Sequence, residues 1–330
     1  MRLVAKLAFA VGLPFLLATG AAHAKMPGEG KSVQPIRPAG IQGAIFQHDV
    51  IAIGLEMLGY TVKPPLEADY PPLHIAVSQG DADYMANEWI PTHDAFYKQA
   101  GGDATMERVG KFITGAGQGY FIDKVTADKY GINNLGQLAD PKIAKLFDSD
   151  GDGKANLTGC NPGWGCERVI EYQLDAFKLR GTVHHDQGSY FALIADMITR
   201  YQAGQPILFY TWTPQWVGAI LRPGHEVTQL NVPFSASPDG KDTALPDGRN
   251  LGFGVDTIVF LANKKFLAEN PAVRRLFEIV HIPIEDVNAA ILREYKGEKS
   301  EEQIMQQAHE WVDAHKDQFD AWVKEAAKEQ

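Results

Sequence analysis

The chain has 330 residues, of which 45% are hydrophobic, and its formal net charge is -10 at pH 7. This length exceeds what one compact core usually holds, so the sequence predicts two lobes. The negative charge argues against nucleic acid or an anionic membrane surface as a partner, because either would favour clustered Lys and Arg. A cationic or zwitterionic small ligand is compatible with this charge.

The N-terminus has the pattern of a secretory signal peptide. Two basic residues among the first six precede a nearly apolar run over residues 7–19, and Ala22-His23-Ala24 supplies small residues of the kind that a signal peptidase recognises. A membrane anchor is the alternative, but a span needs about 20 consecutive apolar residues, and Gly12 and Pro14 interrupt a shorter run. The sequence therefore predicts cleavage after Ala24 and export of the mature chain.

The rest of the chain alternates short apolar runs with amphipathic stretches, which is the pattern of an α/β fold. Strands are predicted over residues 84–89, 119–124, 206–212 and 256–262. Helices are predicted over residues 49–60, after Pro91, in two short pieces within residues 126–147, over 190–203, and in two segments after the strand that ends at 262. A pair of polar amphipathic helices follows from Ser300, with Trp311 and Trp322 on packing faces. The adjacent His184 and His185 are predicted to lie in a loop.

The only cysteines, Cys160 and Cys166, enclose a short segment within GCNPGWGCE at 159–167. In an exported chain, two cysteines so close in sequence indicate a local disulfide rather than a metal pair or a catalytic thiol. Loop entropy gives so small a ring only about 2 kcal/mol of stabilisation, so its use lies in fixing local shape. The ring either protects a structural turn or holds an indole face and backbone amides still for a ligand.

Three tryptophans have similar local settings, because each lies at the end of an extended run or in a rigid turn. They are Trp89 in NEWIPTHD, Trp164 in NPGWGCE and Trp212 in FYTWTPQW. A single tryptophan is usually a packing residue. Three at element ends favour a ligand site, since open α/β sheets bind ligands there. Indole faces around one point attract a quaternary ammonium ion. Trp216, four residues after Trp212, is interpreted as structural.

The segment DSDGDGKANLTG at 148–159 matches the first half of a calcium-binding loop. Its alternating carboxylates belong to Asp148, Asp150 and Asp152. Gly153 fits the turn glycine of such a loop, but Gly159 stands where a bidentate glutamate is expected. A structural calcium ion completed by Asn156, backbone carbonyls or a remote carboxylate is one alternative. A solvated turn whose aspartates cap the local backbone is the other.

Several long, uncommon strings point to a known family. They are DPKIAKLFD, DGDGKA, LTGCNPGWGCE, YTWTP, VPFSA and LGYTV. On these strings, and over nearly the whole mature chain, the sequence resembles the periplasmic glycine betaine and proline betaine binding proteins of ABC importers. The resemblance implies an α/β, two-lobe periplasmic binding protein of type II with its ligand in the interlobe cleft. It also implies capture of glycine betaine or proline betaine in the periplasm and delivery to an inner-membrane ABC permease. We expect a monomer that is not an enzyme and requires no cofactor.

The resemblance also implies roles for individual residues. In that family three tryptophans enclose the trimethylammonium group, and the matching positions are Trp89, Trp164 and Trp212. The family binds the ligand carboxylate through a histidine and through backbone amides, which here are His93 and the N–H groups of Gly165 and Cys166. These amides precede an amphipathic stretch, so we expect them at a helix N-terminus, where free donors and the helix dipole favour a carboxylate.

The lobe boundaries are predicted from two strands that cross between the lobes, over residues 119–124 and 256–262. The first lobe comprises residues 25–117 and 255–330, and the second comprises residues 118–254. Other functions stay open. Choline or a related quaternary ammonium is an alternative ligand. A secreted hydrolase lacks a G-x-S-x-G or H-E-x-x-H string to support it. Only the aspartate loop suggests a calcium-dependent interaction module.

Overall fold

A computed structural model describes residues 25–329 as a mixed α/β fold around a seven-stranded sheet. The predicted signal peptide lies outside the described residues. The strands are β1 Ser32–Val33, β2 Ile36–Pro38, β3 Thr61–Val62, β4 Leu66–Ala68, β5 Tyr84–Ile90, β6 Met106–Asp123, β7 Ala155–Thr158, β8 Val183–Asp186, β9 Leu208–Thr213, β10 Val227–Gln229 and β11 Asp256–Asn263.

The helices surround the sheet and are also numbered along the chain. They are α1 Ala44–Met57, α2 Tyr70–Gln79, α3 Asp94–Gln99, α4 Lys124–Tyr130, α5 Pro141–Ala144, α6 Gly165–Ala176, α7 Tyr190–Gln202, α8 Val217–Ile220, α9 Lys264–Glu269, α10 Pro271–Ile279, α11 Ile284–Tyr295, α12 Glu301–Ala314 and α13 Lys316–Ala326. The strands predicted over residues 84–89, 119–124, 206–212 and 256–262 are confirmed within one or two residues at most ends, although the second is part of the longer β6.

The large sheet has the strand order β5-β11-β6-β9-β7-β8, and β10 pairs with β6. Strand β11 is antiparallel to both β5 and β6, and β6 is antiparallel to β9. Strand β7 is parallel to β8 and β9. The sheet is therefore antiparallel from β5 to β9 and parallel from β9 to β8, and β9 takes part in both kinds of pairing.

Strand β6 exchanges partners along its length. Its residues up to Ala116 pair with β11, whereas Gly117 and the residues after it pair with β9. Helices α1, α2 and α10 contact β5, β11 and β6, respectively. Helices α6 and α7 contact β8 and β7. The predicted division between residues 117 and 118 falls where β6 exchanges partners. The lobe boundaries themselves stay a prediction.

Aromatic packing holds the antiparallel part of the sheet in place. The ring centroids of Phe260 and Phe277 lie 4.2 Å apart, and those of Phe112 and Phe260 lie 4.6 Å apart. Tyr84, at the start of β5, packs on Phe277 at 5.0 Å. Such contacts between large buried rings stabilise the core and fix the strand that leads to Trp89.

The two C-terminal helices form as predicted. Ser300 and Gln303 make a capping box at the start of α12, because each side chain accepts a hydrogen bond from the other residue's backbone N–H. The Trp311 indole donates to Asp286 Oδ2 at 2.9 Å, and Trp322 packs against the His281 ring. Both tryptophans therefore serve packing, as expected.

Two local predictions are wrong. Helix α1 begins at Ala44 rather than Asp49, because Gly43 adopts a left-handed conformation with φ 80° and its N–H donates to the distant Glu294 carboxylate. His184 and His185 lie on β8 rather than in a loop, and only His185 is buried. Both outcomes depend on contacts with chain segments that are remote in sequence. No helix within residues 25–329 is long and apolar enough to cross a bilayer.

Candidate functional site

A pocket with about 390 Å³ of empty space opens where the end of β5, the start of α6 and the end of β9 meet. Its lining is rich in aromatic side chains with a few polar groups, which is typical of sites for small organic ligands. The six residues predicted for ligand binding all line it, namely Trp89, His93, Trp164, Gly165, Cys166 and Trp212. The structure thus brings together positions that are more than 100 residues apart in sequence.

Aromatic rings form one side of the pocket. Trp164 and Trp212 meet edge to face with ring centroids 5.8 Å apart at 78°. Tyr190 supports Trp212 from behind at 4.5 Å, and Tyr210 lies 6.0 Å from Trp212. Electron-rich faces in this arrangement attract a cation that has few hydrogen-bonding groups of its own.

The third tryptophan is held by a buried asparagine. The Trp89 indole Nε1 donates to Asn87 Oδ1 at 3.1 Å, and the hydroxyl of Tyr70 donates to the same oxygen at 2.7 Å. Asn87 in turn donates to Gln47 Oε1 at 2.8 Å. Because Tyr70 and Trp89 both line the pocket, Asn87 fixes two of its aromatic walls at once.

The disulfide ring is part of the pocket wall. Cys160 and Cys166 are bonded, as predicted, and the backbone N–H of Trp164 donates to Asn161 O at 3.2 Å across the turn that Gly163 permits with φ 87°. His185 Nε2 accepts from the Cys160 backbone N–H at 3.1 Å and so supports the ring from outside. The ring therefore holds an indole and the first turn of α6 at the pocket.

The start of α6, which also lines the pocket, can bind an anion. The residue before α6 is Trp164, which is extended, and no side chain among residues 25–329 caps the helix there. The first N–H groups of α6, those of Gly165 and Cys166, are therefore available to a ligand, and the helix dipole favours negative charge at this end. His93 lies beside them and is only 3% exposed. Its Nδ1 faces protein groups, which leaves Nε2 for a ligand.

Gly165 is required sterically at this point. A Cβ on Gly165 would lie 2.5 Å from Thr92 Cγ2 and 3.1 Å from Thr92 O. Real Cβ atoms essentially never approach another atom to 2.5 Å, and a contact of 3.1 Å is tighter than most. The absence of a side chain lets α6 approach the segment that carries Thr92 and His93.

A buried ionic network lies behind His93. Glu88 is fully buried and accepts from Arg108 Nε at 2.8 Å, and its Oε2 lies 2.9 Å from His74 Nε2 and 3.1 Å from His93 Nδ1. Burial would raise the pKa of Glu88, but hydrogen bonds from His74 and His93 outweigh it and hold the pKa below its usual value. Burial lowers the pKa of His93, against the opposing effect of Glu88.

A second network of hydrogen bonds crosses the middle of the sheet. Gln118 donates through Nε2 to Asp256 Oδ2 at 2.6 Å and to Thr92 Oγ1 at 2.7 Å, and it accepts from the Tyr210 hydroxyl at 2.6 Å. Burial raises the pKa of Asp256 to about 6, although hydrogen bonds from Thr92 and Gln118 oppose this rise. This hydrogen-bond network links β6, β9 and β11 around the pocket.

Five pocket residues were not predicted from the sequence. They are Ile41, Tyr70, Thr92, Gln118 and Tyr210. Tyr210 could have been found, since residues two apart on a strand share a face and Tyr210 precedes Trp212 by two. Thr92 directly precedes the predicted His93, whereas Ile41, Tyr70 and Gln118 reach the pocket only through tertiary packing. Trp216 stacks on Tyr295 at 3.9 Å, in agreement with a structural role.

The aspartate loop has the local hydrogen bonds of a turn. Asp148, Asp150 and Asp152 bring carboxylate oxygens within 4.8 Å of one another. Asp148 Oδ1 accepts from Gly151 N at 2.7 Å, and similar bonds engage the other two carboxylates. Asn156 turns its amide nitrogen, not its oxygen, towards Asp150. The calcium ion stays a prediction, as does the independence from any other cofactor.

Comparison with known proteins identifies the family. The family model for the substrate binding domain of ABC-type glycine betaine transport systems, OpuAC, matches residues 38–314. The chain belongs to this family. A glycine betaine/proline betaine-binding periplasmic protein of Escherichia coli (strain K12) is 49% identical over 320 residues, which cover 96% of this chain and 97% of the relative. The resemblance noted in the sequence is thereby confirmed.

Solved structures confirm the fold class. An ABC-transporter choline binding protein in complex with choline superposes with a TM-score of 0.69 and 19% identity, covering 89% of this chain and 91% of the other. Lactococcal OpuAC in its closed-liganded conformation with glycine betaine gives a TM-score of 0.67 and 19% identity, covering 89% and 99%. The family member described here therefore has the α/β fold of type II periplasmic binding proteins.

Proposed function

We propose that this protein captures glycine betaine or proline betaine in the periplasm and delivers it to an inner-membrane ABC permease. The observation that carries the proposal is one pocket lined by three indole rings, by a histidine and by the first residues of α6, whose N–H groups no side chain caps among the described residues. The relative from Escherichia coli, which is named for these two ligands, supports the same choice. The protein acts as a monomeric binding protein rather than an enzyme.

The two ends of the pocket match the two ends of a betaine. Trp89, Trp164 and Trp212 surround the quaternary ammonium, whose charge is spread over its methyl groups and is cheaply desolvated. His93 and the N–H groups of Gly165 and Cys166 bind the carboxylate, and charge-assisted hydrogen bonds of this kind are about twice as strong as neutral ones. The separation of cation and anion sites selects a zwitterion.

Two analogues of glycine betaine test the two ends separately by calorimetric titration into ligand-free protein. Choline keeps the trimethylammonium but lacks the carboxylate, so it leaves buried donors poorly paired at about 1 to 3 kcal/mol each. The carbon isostere 3,3-dimethylbutanoate keeps the carboxylate but lacks the positive charge. We expect each to bind at least about tenfold more weakly than glycine betaine, which corresponds to about 1.4 kcal/mol.

The outcomes distinguish the proposed ligand from its alternative. Equal affinities for choline and glycine betaine would contradict the carboxylate site and favour a choline-binding protein. Equal affinities for glycine betaine and its carbon isostere would contradict the cation site. No binding of any betaine would overturn the proposed function.

Location and lobe organisation belong to the same proposal. We infer that residues 1–24 are removed on export and that residues 25–117 with 255–330 form one lobe, with 118–254 as the other. Under this division, the ion pair between Asp94 and Lys241 links the lobes beside the pocket. Mass spectrometry of protein recovered from the periplasm checks the mature N-terminus, and a chain that begins before residue 25 would contradict it.

A further inference from the structure

Glu88 occupies an unusual place for an acid, because it lies in the middle of β5 and is fully buried. Its Oε1 accepts from Arg108 Nε at 2.8 Å and from Nη2 at 2.5 Å. Its Oε2 lies 2.9 Å from His74 Nε2 and 3.1 Å from His93 Nδ1. An arginine is always charged in proteins, so Glu88 meets it as a carboxylate.

His74 supports the same charge state of Glu88. Its Nδ1 lies 2.7 Å from the Tyr70 carbonyl oxygen, which can only accept, so Nδ1 carries a hydrogen. Its Nε2 faces Glu88 Oε2, and a proton must lie between these two atoms because two lone pairs would otherwise repel. Because Arg108 holds Glu88 as a carboxylate, this proton is on His74, which then carries hydrogens on both ring nitrogens and is cationic. Glu88 remains able to accept from His93 as well.

The decisive atom is His93 Nδ1, which has two candidate partners. It lies 3.1 Å from the Glu88 carboxylate and 3.2 Å from the Trp89 backbone nitrogen, which can only donate. A hydrogen on Nδ1 satisfies the carboxylate through a charge-assisted bond, which is the stronger of the two. A neutral His93 with its hydrogen on Nδ1 presents a bare lone pair at Nε2. That lone pair would repel a ligand carboxylate.

We propose that His93 binds the ligand carboxylate as an imidazolium held between two anions, with Glu88 at Nδ1 and the ligand at Nε2, so that each carboxylate ligand enters with one proton. Glu88 is then a positioning residue, because it selects the ring nitrogen that carries the first hydrogen. The inference rests on the proposed function and specifies how its anion site works.

The surroundings of His93 agree with uptake of a proton on binding. Burial lowers the pKa of His93 from the ordinary 6.5, so the ring is neutral near neutral pH before the ligand arrives. The groups that face it are the rings of Tyr70, His74 and Phe96, the Glu88 carboxylate, and Arg108, which also pairs with Asp94. Lys241 completes the pairing of Asp94. A ligand carboxylate at Nε2 adds the negative charge that stabilises the protonated form of His93.

Calorimetry in several buffers counts the protons directly. Glycine betaine is titrated at pH 7.5 in buffers of different ionisation enthalpy, and the slope of the observed enthalpy against that quantity gives the protons taken up. We expect a value near one for wild-type protein with glycine betaine, and near zero with choline. The affinity for glycine betaine should fall by about tenfold per pH unit above neutrality, as linkage of one proton requires.

Three variants assign the proton. In Glu88→Gln the amide N–H group faces His93 Nδ1, which becomes an acceptor and leaves the hydrogen on Nε2, so proton uptake should fall to near zero. His93→Gln offers an amide donor that does not titrate and should also abolish uptake. Glu107→Gln removes another acid, which pairs with Arg274 away from the pocket, and should leave uptake unchanged.

Each result bears on a different statement. Binding of glycine betaine to wild type without proton uptake would overturn the inference, with Nδ1 accepting from Trp89, and would leave the proposed function intact. Proton uptake that persists in His93→Gln would show that another group, such as the buried Asp256, takes up the proton. This result would also overturn the inference. Should Glu88→Gln fail to fold, His93→Gln still decides. Failure of wild type to bind any betaine would overturn the proposed function itself.

Discussion

Trp89 and Trp212 are held in place before any ligand arrives. Asn87 binds the indole N–H of Trp89, and Tyr190 packs against Trp212 at 4.5 Å. Trp164 is fixed by the turn inside the disulfide ring. Side chains that are already ordered lose little further freedom on binding, so more of the contact energy remains as affinity.

We expect replacement of any one of these tryptophans by alanine to weaken glycine betaine binding by about 1 to 3 kcal/mol, because one aromatic wall is lost. Fluorescence or calorimetric titration measures the change. Trp311→Ala is the control, since Trp311 bonds to Asp286 on the helical side of the molecule and should alter folding stability alone. An unchanged dissociation constant in two of the three variants would contradict the cage.

Gly165 offers a sharper test of the anion side. In Gly165→Ala the new Cβ meets Thr92 at 2.5 Å, so α6 must move away from His93 and the amide donors move with it. We expect at least about a tenfold loss of glycine betaine affinity, or about 1.4 kcal/mol. Gly218→Ala is the matched control, because the space around Gly218 is open. Retained affinity in Gly165→Ala would show that the close approach is not needed for binding.

Helix α6 and the ring before it act as one element. The ring closes at Cys166, which is already in the first turn of the helix, and His185 on β8 supports Cys160 at the other end. The loop is short, so the disulfide contributes little through chain entropy. Its effect is concentrated on the orientation of Trp164 and the two amide donors.

Reduction of the disulfide should therefore weaken binding more than it lowers global stability. We expect the Cys160→Ser, Cys166→Ser double variant to lose affinity for glycine betaine while its unfolding free energy falls by only about 2 kcal/mol. Calorimetric titration and urea unfolding of the same preparation measure both quantities. A variant with lower stability but normal affinity would assign the ring to the structural turn alone.

Strand β6 joins the strands β5 and β11 to the strands β7, β8 and β9, and polar contacts join them as well. The Gln118 side chain hydrogen-bonds to Thr92, Asp256 and Tyr210. The ion pair between Asp94 and Lys241 adds a contact at the surface. Elsewhere, Asp49 and Glu294 are buried near each other in the helical layer that carries Gly43. This pair makes the stability of the whole molecule depend on pH.

Burial raises the pKa of Asp49 to about 7 and that of Glu294 to about 7, from ordinary values of 3.8 and 4.5. A raised pKa of an acid favours its protonated form in the folded state. The contribution of these two protonated acids to the unfolding free energy is therefore fully present below about pH 4. It is lost as the pH rises through 7, at up to about 1.4 kcal/mol per pH unit for each acid.

Asp49→Asn removes one of these titrations and should raise the unfolding free energy relative to wild type at pH 8 but not at pH 4. Urea unfolding at both values measures the difference. Glu56→Gln, an exposed acid on the same helix, serves as control and should change stability equally at both values. A difference from wild type that does not depend on pH would contradict the raised pKa of Asp49.

Much of this protein follows from local sequence. Residue composition is sufficient for β5, apolar periodicity is sufficient for the C-terminal helices, and proximity along the chain is sufficient for the Cys160–Cys166 bond. The residues matched by resemblance, such as His93 and Gly165, line one pocket in the structure. The strand, the helices and the disulfide are short-range, because each depends on residues within one helix, strand or turn, whereas the shared pocket joins residues from several such elements.

Only the tertiary structure decides the contacts between distant segments. Gln118 meets Asp256 across 138 residues of sequence, and Gly43 meets Glu294 across 251, which moves the start of α1. The Glu88 network likewise depends on packing of α2, β5 and β6 that no local pattern encodes. Sequence pattern determines which residue types are present and how each element forms, whereas burial and pairing of polar groups, which set their chemistry, arise only when all the elements pack together.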